Sequence, residues 1–483
     1  MASDIVLFAF AVVPIAWLFV SFCVLRHPGH IACAFGLAFA GAIAFFVNGM
    51  APAALGAAAL EGLVLALWPI LIVIVSATIL YKYSAETGGM EKIKQMLTGI
   101  SPDRRVLVLI LAWGFGGFLE AVAGFGTPVL IPGAILVSLG FSPMLAVVAC
   151  LVANSTPTPF ATIGIPVLTL SDATGLDASV LGFDITLQLF IPTIIMPFFL
   201  VMLVGGGVRA IRGVFCITLI SGLSFALPML FVAHFIGPEM PALLGSLCAL
   251  ACTAVACKRF CKDSEHNKKH PPSPSPSTVS AFRACLPFGV LFVLVIVANL
   301  AGLSVNPGIL ILLAIVVSCL VQGQGLAGFL RIARDTVLES RNLFITIIAI
   351  VAMAKIMDRS GMTEAIALML IAVFARYYPL VAPVIGMLGT FITGSNTAGS
   401  VLFGPLQVGA AQAIGTNPAW IASGGLSAAA MGKMISPQSV AIGLQIGGLD
   451  GREGDIIRAT LKYALFCTAI VCVITYAATA LWF

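Results

Sequence analysis

The chain has 483 residues, 60% of them hydrophobic and only 9% charged, with a mean hydropathy of +1.13 and a net charge of +5. A soluble globular domain carries roughly 25% charged residues, so this composition excludes one and implies a polytopic membrane protein. The small positive charge is summed over loops, and without a basic-aromatic surface it gives no support for nucleic-acid binding.

Apolar length and the Gly, Pro and charged breaks place spans near 4–25, 30–48 and 61–83. The first lacks a basic start and reads as a span, not a cleaved signal. Residues 86–101 are charged and roughly amphipathic, suited to the interface. The apolar run 105–142 is broken at its middle by E-A-V-A-G-F-G-T (120–127) and reads as a helical hairpin that enters and leaves by one face. Residues 143–170 form a span broken at N-S-T-P-T-P (154–159), and spans follow near 186–207, 211–234 and 239–257. The stretch 258–283 is basic and rich in Pro and Ser, a flexible cytoplasmic linker between a first half, 1–257, and a second half, 284–483. Spans resume near 284–302, 307–322 and 342–357, with a short helix at 361–376. A second hairpin, 379–416, is broken at G-S-N-T-A-G-S (394–400). The segment 418–448 is broken around M-G-K-M-I-S-P-Q-S, and 459–482 closes the chain.

The basic residues orient the chain. Lys82, Lys92, Lys94, Arg104 and Arg105 put the 82–105 connection inside; span counting adds Arg26, Arg209, Arg212, the linker, Arg331, Arg334, Arg452 and Arg458. Lys355, Arg359 and Arg376 fall outside as a minority.

The breaks belong to a repeat with cores at about 61–207 and 342–482. Y-K-Y-S-A-E-T-G-G-M-E-K-I (from Tyr81) resembles A-K-I-M-D-R-S-G-M-T-E-A-I (from Ala354), and Gly124, Gly140 and Pro143 are spaced like Gly399, Gly415 and Pro418, each pair 275 positions apart. The first hairpin enters from inside and the second from outside, so the repeat is inverted, the pattern of secondary transporters with a midplane site. The fold class expected is an all-α polytopic membrane protein with about 12 transmembrane helices plus two re-entrant hairpins, inverted repeats and broken helices.

Non-helical backbone at membrane depth survives only where it is buried in protein or lines a cavity, and an ionisable residue there is a functional candidate. Half-helix N-termini attract a small anion. Around the breaks, Gly124, Gly126, Thr127, Asn154, Ser155, Thr156, Ser395, Asn396, Thr397, Ser436, Gln438 and Ser439 offer backbone N–H groups, hydroxyls and amides suited to a carboxylate and a hydroxyl. Lys433 is the cation inside a broken span and needs either the interface or an anion. Low dielectric favours the protonated form of a carboxyl, which suits Glu120 to carry a proton; the bland alternative is a structural cap.

Cys257, Cys261, His266 and His270 are weighed as a zinc set and set aside, because the Cys261-to-His266 spacing is too short for a finger. No metal and no cofactor is expected. H-E-x-x-H, G-x-S-x-G and G-x-x-x-x-G-K-[ST] are absent, which argues against an enzyme and against ATP drive.

F-L-E-A-V-A-G-F-G-T-P-V (118–129), A-N-S-T-P-T-P-F-A-T-I-G-I-P (153–166), F-I-T-G-S-N-T-A-G-S-V-L-F-G-P-L-Q (391–407) and G-K-M-I-S-P-Q-S-V-A-I-G (432–443) together resemble the lactate permease family. The resemblance covers roughly 60–210 and 335–483. It implies proton-coupled uptake of L-lactate, D-lactate and glycolate across the bacterial inner membrane, with Glu120 on the family's acid and Lys433 on the lysine of its G-K-M-I-S-P-Q-S motif. It also implies kinship with the ion-transporter superfamily and an elevator-like motion. In that reading Glu120 carries the proton and Lys433 neutralises the substrate carboxylate. A sodium-coupled carrier of dicarboxylates or another small organic anion is the alternative. The sequence sets no oligomeric state; a homodimer is compatible with it.

Overall fold

The computed structural model describes residues 2–482 apart from 26, 90, 93–94, 96–100, 123, 125, 261–278, 302, 304, 323–325, 375–376 and 450. Backbone polar groups in hydrocarbon must be satisfied within their own segment or a closed barrel, and this apolar chain takes the helical solution. Among the described residues there is no strand.

The first half runs α1 (Ala2–Val20), α2 (Gly29–Phe46), α3 (Pro52–Leu65), α4 (Ile72–Glu86) and α5 (Arg104–Val122), then α6 (Thr127–Ser138), α7 (Pro143–Ala153), α8 (Ala161–Thr174), α9 (Ala178–Gly205), α10 (Phe215–Phe235) and α11 (Pro241–Phe260). The second half runs α12 (Ala281–Leu300), α13 (Pro307–Val321), α14 (Leu326–Glu339), α15 (Arg341–Arg359) and α16 (Met362–Phe374), then α17 (Tyr378–Thr393), α18 (Asn396–Ala413), α19 (Pro418–Ile435), α20 (Pro437–Leu444) and α21 (Glu453–Trp482).

Two features differ from the sequence reading. The span expected at 61–83 is divided between α3 and α4, with Trp68 extended (φ −135°, ψ 115°) between them. Pro69 follows Trp68, and a proline drives the preceding residue out of the helical region. Helix α14 occupies what reads as a basic connection, and it is tied to α4 by Lys82–Glu339 (2.6 Å) and Arg331–Glu86 (2.7 Å). A second cluster of charges is also paired: Glu61 accepts from Lys355 at 2.8 Å and from Arg359 at 3.0 Å.

Among the described residues six helices are long and apolar enough to cross a membrane: α2, α5, α9, α10, α11 and α21. That is fewer than the about 12 spans expected from apolar length, because breaks divide several runs into shorter apolar helices such as α6, α7 and α17. Helix α5 is set apart by burial. Its apolar window is 89% buried, against 44% for α9, so protein surrounds it on every side. Asp103 caps its start, accepting from the Arg105 backbone at 2.9 Å, and pairs with the Arg105 guanidinium at 2.6 Å, both side chains buried. In the second half, glycines let backbones touch. A Cβ on Gly386 would collide with the Gly425 backbone, and one on Gly432 with the Met387 carbonyl, which is how α17 lies directly on α19. Small residues at such crossings are what permits close helix approach in apolar surroundings.

Candidate functional site

Four breaks in four helix pairs build the site. Between α5 and α6 the chain turns through Gly124 (φ +59°) and Gly126 (φ +99°), conformations that side-chain-bearing residues rarely adopt. Between α7 and α8, the Ser155 hydroxyl donates to the Val152 carbonyl (2.8 Å) and the Thr158 hydroxyl to the Ser155 carbonyl (2.6 Å), closing the N-S-T-P-T-P turn on itself. Helix α17 ends at left-handed Gly394, and Ser395 caps α18, its Oγ accepting from the Ala398 amide at 3.3 Å. Ser436 ends α19 and caps α20, accepting from the Ser439 amide at 3.2 Å.

These breaks meet around one cavity of about 50 Å³. The N-terminal ends of α6, α8, α18 and α20 reach it through Gly126, Thr162, Asn396, Thr397, Gln438 and Ser439. Helix N-termini carry partial positive charge, which suits the cavity to a small anion. Lys433, in the last turn of α19, adds a full positive charge to the wall. Asn154, Thr158 and Ser395 add polar groups to the lining, and Val129, Ile165, Pro166 and Ile442 add apolar ones. At roughly 10–15 Å³ per water, the space holds about three to five water-sized groups, which matches a small acid.

Glu120 stands behind the wall, wholly buried, and Lys433 Nζ donates to its Oε1 at 2.6 Å. Asn396 Nδ2 donates to Thr158 Oγ1 at 3.0 Å, joining the second hairpin to the broken span of the first half. The Gln438 amide nitrogen is assigned toward the carbonyls of Thr393 and Gly394, 3.2 Å from each, which ties α20 to the turn after α17.

Of the residues singled out from sequence, Gly126, Asn154, Ser395, Asn396, Thr397, Lys433, Gln438 and Ser439 lie on the cavity wall, with Glu120 bonded to Lys433. Gly124, Thr127, Ser155, Thr156 and Ser436 do not lie on it. Thr127 donates to the Gly124 carbonyl (2.9 Å), Ser155 to Val152 and Ser436 to the Lys433 carbonyl (3.2 Å), so these hydroxyls serve the broken backbone. Gly124 is covered by Thr162, whose Oγ1 would lie 2.5 Å from a Cβ there, and Thr156 is buried. Sequence reasoning missed Thr158 and Thr162, and the apolar wall. The positive φ of Thr162 (47°), the one such non-glycine residue among those described, leaves no sequence signal. Among the described residues no group of three or more His, Cys, Asp or Glu is placed to hold a metal. Cys257 is buried in α11; Cys261, His266 and His270 lie outside the described residues.

A helical chain rich in apolar helices, whose broken helices enclose a small anion-suited cavity, has the architecture of a membrane transport protein. The chain belongs to the L-lactate permease family, whose model matches residues 7–305 and 301–482. It is 41% identical to an L-lactate permease of Streptococcus iniae, over 86% of this chain and 92% of that one. It is 31% identical both to the glycolate permease of Escherichia coli K12 and to an L-lactate permease of Bacillus subtilis, in each case over 96% of this chain and 94% of the relative. Among solved structures, the YdaH transporter of Alcanivorax borkumensis aligns over 87% of both chains, at 14% identity and a TM-score of 0.38.

Proposed function

We propose that this protein carries lactate, glycolate and related small 2-hydroxymonocarboxylates with a proton across the bacterial inner membrane. The observation that carries the reading is the Glu120–Lys433 pair, buried on the acid's side and open to the cavity on the lysine's. In the empty site the two charges cancel. A substrate carboxylate entering the cavity competes for Lys433, which leaves two carboxylates sharing one ammonium in low dielectric. Protonation of Glu120 restores neutrality, because like charges at close range favour the neutral form of one of them. Linkage makes the two events cooperative: a proton on Glu120 frees Lys433 for substrate, so proton and substrate load together. The empty and loaded sites are both neutral, so the cycle moves one proton per monocarboxylate and no net charge.

The named relatives, lactate and glycolate permeases, support the substrate class. The cavity volume favours a monocarboxylate over anything much larger. Around the site, the two hairpins and broken spans form inverted repeats within a bundle of about 12 spans, and this unit slides as an elevator against the rest, alternating access.

Sodium coupling is the second reading, and one observation favours it. The amide oxygens of Asn154 and Asn396 are buried acceptors with no hydrogen-bond partner among the described residues, which suits a cation. Labelled L-lactate uptake into proteoliposomes decides between the two readings. Accumulation driven by an imposed inward proton gradient without sodium supports the proposal. Accumulation that ignores the proton gradient and follows sodium replaces it, and no lactate movement under either gradient removes the substrate assignment.

A further inference from the structure

We propose that Ile442 sets the size of the substituent that the site accepts at carbon 2 of the acid; this rests on the function proposed above. Helix α20 of the second half lies along α6 and α7 of the first, and the seam is isoleucine on glycine. A Cβ at Gly126 would stand 2.8 Å from Ile442 Cδ1 and 3.1 Å from its Cγ2. One turn on, a Cβ at Gly133 would collide with Ile446 Cδ1, and one at Gly443 would crowd Val147. Ile442 and Gly126 line the cavity; Ile446 and Gly133 do not.

The cavity lining mixes polar and apolar groups. Lys433, Asn396, Gln438 and Ser439 are polar lining residues, partners for a carboxylate and a hydroxyl. What remains for the third substituent is the apolar lining, which includes Val129, Ile165 and Ile442. Gly126 is locked by its left-handed φ of +99°, so its face of the seam admits no side chain. Ile442 is the adjustable member of this contact, yet in the folded protein it is rigid, because a β-branched side chain on a helix has one strongly preferred χ1. Only 4% of its surface is exposed. A fixed branched wall in a cavity of about 50 Å³ discriminates by single carbons.

The experiment compares kcat/KM for glycolate, L-lactate and L-2-hydroxybutyrate in proteoliposomes holding the full chain, for wild type, Ile442→Val, Ile442→Leu and Ile446→Val. One methylene in an apolar pocket is worth about 10- to 200-fold in discrimination. Ile442→Val is therefore expected to raise the 2-hydroxybutyrate-to-lactate ratio by about tenfold or more. Ile442→Leu, similar in volume, reports folding and retained transport while altering the ratio through shape. Ile446→Val removes the same carbon from the same seam outside the cavity and leaves the ratio as in wild type. A ratio unchanged in both Ile442 variants overturns the inference. So does an equal shift in Ile446→Val, since the seam's packing and not the cavity wall would then set selectivity. If wild type carries none of the three acids, the proposed function fails and this inference falls with it.

Discussion

Lys433 Nζ stands 2.6 Å from Glu120 Oε1 across 313 positions of chain, joining the last turn of α19 to the last turn of α5. The two ends of this pair are unequal. Glu120 is fully enclosed, its Oε2 without a hydrogen-bond partner among the described residues, while the Lys433 side chain keeps 15% of its surface open. The lysine is thus the member open to the cavity, and the acid is the member enclosed behind it.

Removing one partner of a buried pair is worse than removing both. Lys433→Met leaves Glu120 enclosed without its cation, a change of about 3–5 kcal/mol for a fully buried pair. Lys433→Met with Glu120→Gln leaves no charge to strand, so the double variant is expected to unfold at a higher temperature than Lys433→Met alone. Thermal unfolding in detergent micelles reads this. A double variant less stable than the single one would mean that the pair is not the dominant local interaction.

An electroneutral cycle has its own signature. If net charge moved, each charge crossing 100 mV would be worth about 2.3 kcal/mol, about a fiftyfold change in accumulation. The neutral empty and loaded sites instead predict that lactate accumulation at a fixed pH gradient stays the same when a potassium diffusion potential of either sign is imposed. Accumulation that follows the potential contradicts a one-to-one exchange of charge.

Gly394 and Gly140 separate backbone strain from crowding. Both are left-handed, at φ +68° and +82°. A Cβ at Gly394 runs into the Gln438 side chain that ties α20 to this turn, whereas a Cβ at Gly140 meets nothing within 4 Å. Gly140→Ala is expected to cost about 1–2 kcal/mol of stability from its conformation alone, with uptake retained. Gly394→Ala adds displacement of Gln438 from the cavity wall and is expected to abolish uptake. Uptake assays on equal amounts of membrane-inserted protein compare the two.

The Asn396–Thr158 bond, buried and 3.0 Å long, links the two halves of the chain at the site. Thr158→Val leaves the Asn396 nitrogen unsatisfied, a cost of about 1–3 kcal/mol. A double-mutant cycle of Thr158→Val and Asn396→Leu should show a coupling energy of about 1 kcal/mol, since contacting residues are non-additive. Strict additivity in unfolding measurements would remove the bond from the account.

How much of this was readable from the chain follows from what breaks helices. The G-F-G-T, S-N-T and S-P-Q-S interruptions stand out because Gly, Pro and small hydroxyl residues cut apolar runs, and six of the residues they supply lie on the cavity wall. Pairing was not readable. Nothing local says that Glu120 meets Lys433, because that contact is made by packing helices from different halves of the chain. The apolar wall was equally silent: Val129, Ile165 and Ile442 look like any other apolar residues of a span until the fold turns them to the cavity. Helix α14 escaped because its charges, among them Arg331, Arg334, Asp335 and Glu339, read as a loop when only apolar length is counted. The divided span at Trp68 was in principle legible from Pro69, whose effect on the preceding residue is local.

The most direct test of the shared-lysine mechanism is labelled L-lactate movement in proteoliposomes carrying wild type or Glu120→Gln. Two modes are read in each: accumulation driven by an inward proton gradient, and exchange against internal lactate with no gradient. The neutral glutamine stands in for the protonated acid, so Lys433 stays available to substrate. Glu120→Gln is expected to exchange lactate but no longer accumulate it, while wild type does both. A Glu120→Gln protein that still accumulates lactate under the proton gradient as wild type does would contradict it, and would place the coupling proton elsewhere.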